Sequence, residues 1–332
     1  MTIRYISVII ALFLCFRINI DAQTSEKSGT SHSKLNKTAK DYMTIEEAVA
    51  SLKIPEAAAK PASIPGESPE LPEFFHPPYT SIEPVKLFDN FYFVGTTAVG
   101  AFIVDTGDGL VVLDTGCGDT DVAMMVSDMK KMGLNPSQIK LILISHEHFD
   151  HYGGVQYLKK NVCPDAKVAM SLIGWNMLQT VPLEGPYIGT RPQSVDIYLI
   201  DGMKIKVGNT TFQIVSTPGH SPGCLSFIIP VTDKGEPHVV GMMGGSAVFP
   251  THVETKLYKA SVEYFKAFAA AARCDIGLYF HSQEETFAPL RARKLNESNP
   301  LIVGMEKFDS VYLKSFRDRY QKMMESGNLK PY

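Results

Sequence analysis

Four residues able to bind a metal crowd into one short stretch: His146, His148, Asp150 and His151, within "LISHEHFDHYGG" (residues 143–154). The chain has nine histidines in 332 residues, so this density asks for a cause. Imidazole nitrogen and carboxylate oxygen are ligands of Zn²⁺ at about 2.0–2.2 Å. The spacing is not the H-E-x-x-H helix of zinc proteases, because Asp150 stands where the second histidine belongs. His146 and His148 would also point to different sides of a helix. The motif is therefore expected in a loop that leaves the apolar run "IKLILIS", with Gly153 and Gly154 allowing a sharp exit.

Two further histidines have the same placement, directly after an apolar run. His220 lies in "STPGHSPG" and His281 in "LYFHS". Five histidines and one aspartate suffice for two ions with three protein ligands each, leaving positions for water and substrate. A single histidine after a strand is usually structural; the combination carries the inference. Two ions sharing a water would lower its pKa from 15.7 to about 7, and the resulting hydroxide would attack a carbonyl carbon. No serine or cysteine nucleophile is then required. Asp150 would be both ligand and orienting group. Asp114, in "LDTG", ends a strand one element earlier. It either caps a turn or accepts an N–H from a ligating histidine, and the second reading is preferred. Glu147 is read as solvated or packed against loop backbone.

These groups must be positioned by regular elements. "NFYFVGT", "GAFIVDT", "GLVVLDTG", "IKLILIS" and "AKVAMS" are short strands rich in β-branched and aromatic residues. "DIYLID", "KIKVG", "TFQIVST", "CLSFIIPV" and "PHVVGMMGG" form a second series, followed by "DIGLYFHS" as a strand ending in His281. In "TDVAMMVSDMKKMG" the residues Val122, Met125, Val126 and Met129 share one helical face, ended by Gly133. "GGVQYLKK", "LIGWNMLQT", "TKLYKASVEYFKAFAAAAR" and two segments within 283–295 and about 303–326 also read as helices. Two similar halves predict an α/β protein of two packed sheets with helices outside them.

Composition limits the rest. Net charge is −3 and no basic cluster stands out, which argues against a nucleic-acid partner and for a small-molecule substrate. Residues 1–22 have a signal-peptide layout: basic Arg4, the apolar stretch Ile6–Phe16 and an exit at Ala22. That run is too short to span a bilayer, so a secreted or periplasmic protein without a membrane anchor is expected. Residues 23–73 read as a disordered, Pro-rich linker with a short helix capped by Thr44. The globular domain is placed at 74–332. Four cysteines remain after the leader: Cys117, Cys163, Cys224 and Cys274. Their pairing is open, and buried thiols are the plain expectation for Cys117 and Cys224.

The order "DTG", "HEHFDH", "TPGHSPG" resembles the metallo-β-lactamase superfamily over about residues 80–295. The resemblance implies an αββα four-layer sandwich. Glyoxalase II and many lactonases place a bridging aspartate in a turn that here reads "MMGGSAVF"; Gly244, Gly245 and Ser246 stand there instead. The first two subclasses of class B β-lactamases place a cysteine in that turn. The set in this chain is similar to the third subclass. That likeness implies one zinc on His146, His148 and His220, and a second on Asp150, His151 and His281. Ser246 is then either a hydrogen-bond donor to substrate or bound water, or a small turn residue. The subclass often has a disulfide from the position of Cys274 to a C-terminal cysteine, and no cysteine follows Cys274 here. The implied activity is hydrolysis of a cyclic amide, with a lactone or other ester as the alternative. A non-catalytic zinc-binding protein is the third reading.

Overall fold

The computed structural model describes residues 42–51, 80–183, 188–249, 255–282 and 284–327. The segment expected to be a signal peptide and most of the expected linker lie outside these residues.

Among the described residues the strands form two sheets. The first has seven strands in chain order: β2 (Ser81–Phe88), β3 (Phe91–Thr96), β4 (Gly100–Asp105), β5 (Leu110–Leu113), β6 (Ile139–Leu143), β7 (Lys167–Ser171) and β8 (Ile197–Leu199). Pairing is antiparallel from β2 to β5 and parallel from β5 to β8. The second sheet runs β1 (Met43–Thr44), β9 (Lys204–Val207), β10 (Thr210–Ser216), β11 (Leu225–Asp233), β12 (Glu236–Met242) and β13 (Ile276–Gly277).

Strands covered on both faces read as continuous apolar runs, and β5 and the end of β6 are buried at every position. Phe91, Phe93, Phe102, Leu143, Phe212 and Phe227 form part of the core that includes residues from both sheets. Phe93 meets Phe102 edge-on at 5.4 Å and Phe287 at 4.4 Å. Truncating a buried ring of this kind to alanine costs about 3–5 kcal/mol. The other face of the first sheet is covered by α2 (Asp119–Lys131), α3 (Phe149–Tyr152), α4 (Val155–Asn161) and α5 (Leu172–Thr180). Val122, Met125, Val126 and Met129 are the buried face of α2, as their spacing requires. The second sheet packs against α6 (Thr255–Ala272) and a C-terminal helix made of α8 (Gly304–Lys307), a π-helical segment (Phe308–Leu313) and α9 (Lys314–Glu325). α7 (Glu284–Ala292) places Phe287 in the inter-sheet core. This is the four-layer sandwich expected from the sequence.

Three features differ from the sequence reading. Residues 42–51 are not linker. Met43 pairs in parallel with Ile205, and α1 (Ile45–Ser51) buries Ala48 completely in the inter-sheet core. The expected cap is present, with Thr44 Oγ1 accepting from the Glu47 N–H and Glu47 Oε2 accepting from the Thr44 N–H. β2 was not expected. Pro84 and its polar neighbours disguise an edge strand whose register shifts between Ile82 and Val85, the setting in which proline is tolerated. The strand expected to end at His281 stops at Gly277. Beyond it the chain meets the other sheet, where Gly100 donates its N–H to Phe280 O at 2.8 Å.

The four cysteines among the described residues are buried free thiols. No helix among those residues is long and apolar enough to cross a membrane.

Candidate metal centre

The centre lies at the ends of β5, β6, β10 and the β13 segment, and it begins with Asp114. This residue follows β5 with φ at +59°, a left-handed conformation that aspartate tolerates better than most side chains. Its buried carboxylate is bonded three ways. Oδ1 accepts the Ser145 N–H at 2.7 Å, Oδ2 accepts the Ser145 hydroxyl at 2.7 Å, and Oδ2 also accepts from His151 Nδ1 at 2.6 Å. Asp114 therefore fixes where the motif leaves β6.

His146 and His148 follow in loop conformation, as expected. The second half of the motif differs: Phe149–Tyr152 is one helical turn, with His148 as its extended first flank. The turn sends Asp150 and His151 back toward the same point.

His146, His148 and His220 form one cluster of buried ligand atoms. His220 Nε2 lies 3.1 Å from His146 Nε2 and 3.0 Å from His148 Nδ1, and those two are 3.2 Å apart. Two tautomers follow from outer partners. His220 Nδ1 donates to Ala247 O at 2.8 Å. The Ser145 hydroxyl, already donating to Asp114, accepts from His146 Nδ1 at 2.9 Å. Both Nε2 atoms are then bare lone pairs aimed at one point. Burial, then the surrounding histidines, holds His146 well below its ordinary pKa. Burial pushes His220 down to about 3. Neutral nitrogens about 3 Å apart, with their other nitrogens tied off, suit a cation between them.

Asp150, His151 and His281 form the second cluster. Asp150 Oδ2 lies 3.1 Å from His151 Nε2 and 3.4 Å from His281 Nε2. His151 Nδ1 is held by Asp114, and His281 Nδ1 donates to Ala98 O at 2.9 Å. Burial alone would raise Asp150, but His151 and His281 outweigh it and hold the carboxyl below its usual range. The two clusters adjoin, with the His146 and His151 rings 3.9 Å apart. His281 is the open edge, with 29% of its side chain exposed against 1% for His151 and 7% for Asp150.

All six residues singled out for two ions thus converge, and Asp114 sits behind them bonded to His151. Ser246 has a different setting. Its carbonyl accepts from Tyr258 Oη at 3.2 Å and from Arg319 at 3.2 Å. It lines a surface depression with Arg319, Lys322 and Met323 of α9. The neighbouring Gly245 touches the first cluster: its φ is +68° and a Cβ there would lie 2.3 Å from His220 Cβ. Ser145 was missed by the sequence reading, although its place directly before the motif was a usable signal. Glu147 is fully buried rather than solvated, and it does pack on loop backbone.

Residues 94–233 match the metallo-β-lactamase superfamily. Hydroxyacylglutathione hydrolase of Buchnera aphidicola is 30% identical over 145 residues, 43% of this chain and 45% of that protein. An atrochrysone carboxyl ACP thioesterase of Passalora fulva is 28% identical over 151 residues, 45% of this chain and 38% of that protein. The chain therefore spans less than half the length of these two curated relatives. Among solved structures, the subclass B3 metallo-β-lactamase BJP-1 of Bradyrhizobium japonicum superposes with a TM-score of 0.63 at 26% identity, over 75% of this chain and 96% of that one. FEZ-1 of Legionella gormanii gives 0.62 at 22% identity, over 76% and 98%, a likeness of fold. The motif, the sheet order and these likenesses agree: residues 94–233 match the metallo-β-lactamase superfamily, and the fold is like that of the subclass B3 enzyme BJP-1.

Proposed function

We propose that the chain is an exported di-zinc hydrolase that opens a cyclic amide, as a β-lactamase does. The observation that carries the reading is the convergence of six ligand atoms in two adjoining clusters. His146, His148 and His220 would hold one ion, and Asp150, His151 and His281 the other. When bound, the pair supplies Lewis acidity and a water acidified to near-neutral pKa, the chemistry that carbonyl hydrolysis needs. The chain's own residues do the positioning. Asp114 fixes the tautomer of His151, Ser145 that of His146, and the Ala247 and Ala98 carbonyls those of His220 and His281. His281, at the open edge, marks the side from which substrate arrives.

The ligand set favours a β-lactam, because Gly244, Gly245 and Ser246 stand where related thioester and lactone hydrolases carry a bridging aspartate. Likeness to BJP-1 over 96% of that enzyme supports the same reading. A second reading, hydrolysis of an ester or thioester, is favoured by the sequence likeness to a hydroxyacylglutathione hydrolase and an ACP thioesterase.

The test is turnover by the zinc-loaded protein of a penicillin, a cephalosporin, a carbapenem, an acyl-homoserine lactone and an acyl thioester, with and without chelator. Chelator-sensitive β-lactam turnover is expected. Turnover of the lactone or thioester alone would replace the first reading with the second. Metal uptake with no turnover of any would favour a non-catalytic zinc protein. A Ser246→Ala variant separates that residue's two readings: a raised KM with unchanged kcat makes its hydroxyl a substrate contact, and unchanged kinetics make it a turn residue. Export predicts a mature N-terminus directly after Ala22, readable by N-terminal sequencing.

A further inference from the structure

Glu147 stands between two of the proposed ligands, and the chemistry above makes no use of it. Its side chain is fully buried. Burying a carboxylate is costly unless it is well bonded, and Oε1 accepts the Gly223 N–H at 3.0 Å. The surroundings are closely built. A Cβ on Gly223 would lie 2.4 Å from Glu147 Oε2 and 2.5 Å from Gly174 Cα. Three segments meet there: the metal-binding stretch, the start of α5 and the turn that follows His220.

Gly223 is held at both ends of its peptide framework. Its carbonyl accepts the Ser171 hydroxyl at 2.8 Å, and Ser171 Oγ also accepts the Gly174 N–H at 2.9 Å, capping α5. The Glu147 carboxylate thus sits beside the first turn of a nine-residue helix, where negative charge is favoured. His220 must meet His146 and His148 from more than seventy positions away in sequence. Glu147 is the immediate neighbour of both histidines, and Gly223 is three residues beyond His220. The Glu147–Gly223 bond therefore joins the two segments whose nitrogens must converge.

We infer that Glu147 is a positioning residue for the first cluster: by holding Gly223 it sets His220 against His146 and His148, and so controls first-ion affinity without touching the ion. The inference rests on the proposed metal reading. The second cluster is held by Asp114 and the Ala98 carbonyl instead, so it should not respond.

The experiment titrates metal-free protein with Co²⁺ against a chromophoric chelator, following the cobalt absorption. A His281→Ala background isolates the first cluster and a His220→Ala background the second. Glu147→Ala should weaken the first cluster about 10–100-fold, the usual cost of losing an outer partner, and leave the second within about twofold. Glu147→Gln keeps an acceptor oxygen and should restore most of the first-cluster affinity. Should Glu147→Ala fail to fold, Glu147→Asp serves the same comparison, since its carboxylate is one methylene short of Gly223.

Equal weakening of both clusters, an unchanged first cluster, or no rescue by glutamine would each overturn the inference. If the parent chain takes up no metal in either background or in the unmutated form, the metal reading itself fails, which is a separate result.

Discussion

Asp114 and His151 are 37 positions apart in sequence and 2.6 Å apart in the fold, and both are buried. The same carboxylate accepts both donors of Ser145, so one side chain orients a second-cluster imidazole and anchors the loop that carries the first cluster. Asp114→Asn tolerates the left-handed backbone and keeps acceptor capacity, but it removes the charge that favours donation from His151. Second-cluster affinity is expected to fall about 10–100-fold, read by metal competition, with the far-ultraviolet circular dichroism unchanged. Asp114→Ala should also lower the melting temperature, because each buried Ser145 donor left unpaired costs about 1–3 kcal/mol. Unaltered second-cluster affinity in the asparagine variant would rule out this role.

Tyr312 has an analogous place on the other side of the molecule. It lies in the π-helical segment, and its buried hydroxyl accepts the Met243 N–H at 2.8 Å while donating to Leu278 O at 2.8 Å. Met243 leads into the Gly244–Ser246 turn, and Leu278 lies three residues before His281. Its ring fills the space at Gly277, where a Cβ would be 2.3 Å from Cγ. Tyr312→Phe leaves an N–H and a carbonyl unpaired in the core, at about 1–3 kcal/mol each. A clear drop in melting temperature is expected, with the ring packing retained. A variant as stable as the parent would show that water or a local shift replaces the hydroxyl.

The sandwich was legible because buried strands need long runs of Val, Ile, Leu and Phe, and those runs stand out at β3 to β7 and at β10 to β12. The two clusters were legible because histidine is rare in this chain and the three segments that carry the ligands each follow such a run. β2 was hidden because Pro84 and a shifted register break the alternation that marks an edge strand. Residues 42–51 were hidden because one short helix set in Pro- and Ser-rich surroundings looks like linker until Ala48 is seen inside the core. The run before His281 looked like one strand because its apolar residues continue while their partner sheet changes. Ser145, and the particular partner of the backbone-packed Glu147, escaped for a further reason. Their roles depend on which distant backbone and side-chain groups come within 3 Å, and spacing along the chain does not encode that.

Without metal, the two clusters hold protons differently, and this gives a pH test. Burial pushes His220 down to about 3, and burial followed by neighbouring histidines puts His146 well below its ordinary value. His281 is also lowered, chiefly by burial. His151 goes the other way: burial lowers it, but the carboxylates of Asp150 and Asp114 outweigh burial and raise it. A histidine must be neutral to bind an ion. At neutral pH His146 and His220 are already neutral, so filling the first cluster displaces no proton from them. His151 still carries its proton there and must lose it, so the second cluster binds more tightly as pH rises toward the raised pKa. For one displaced proton the gain is about tenfold per unit, or about 1.4 kcal/mol. Calorimetric titrations at pH 7, in buffers of different ionisation enthalpy, should therefore show about one more proton released per ion in the His220→Ala background than in the His281→Ala background. Equal proton release from the two would mean that Asp150 and Asp114 do not hold a proton on His151.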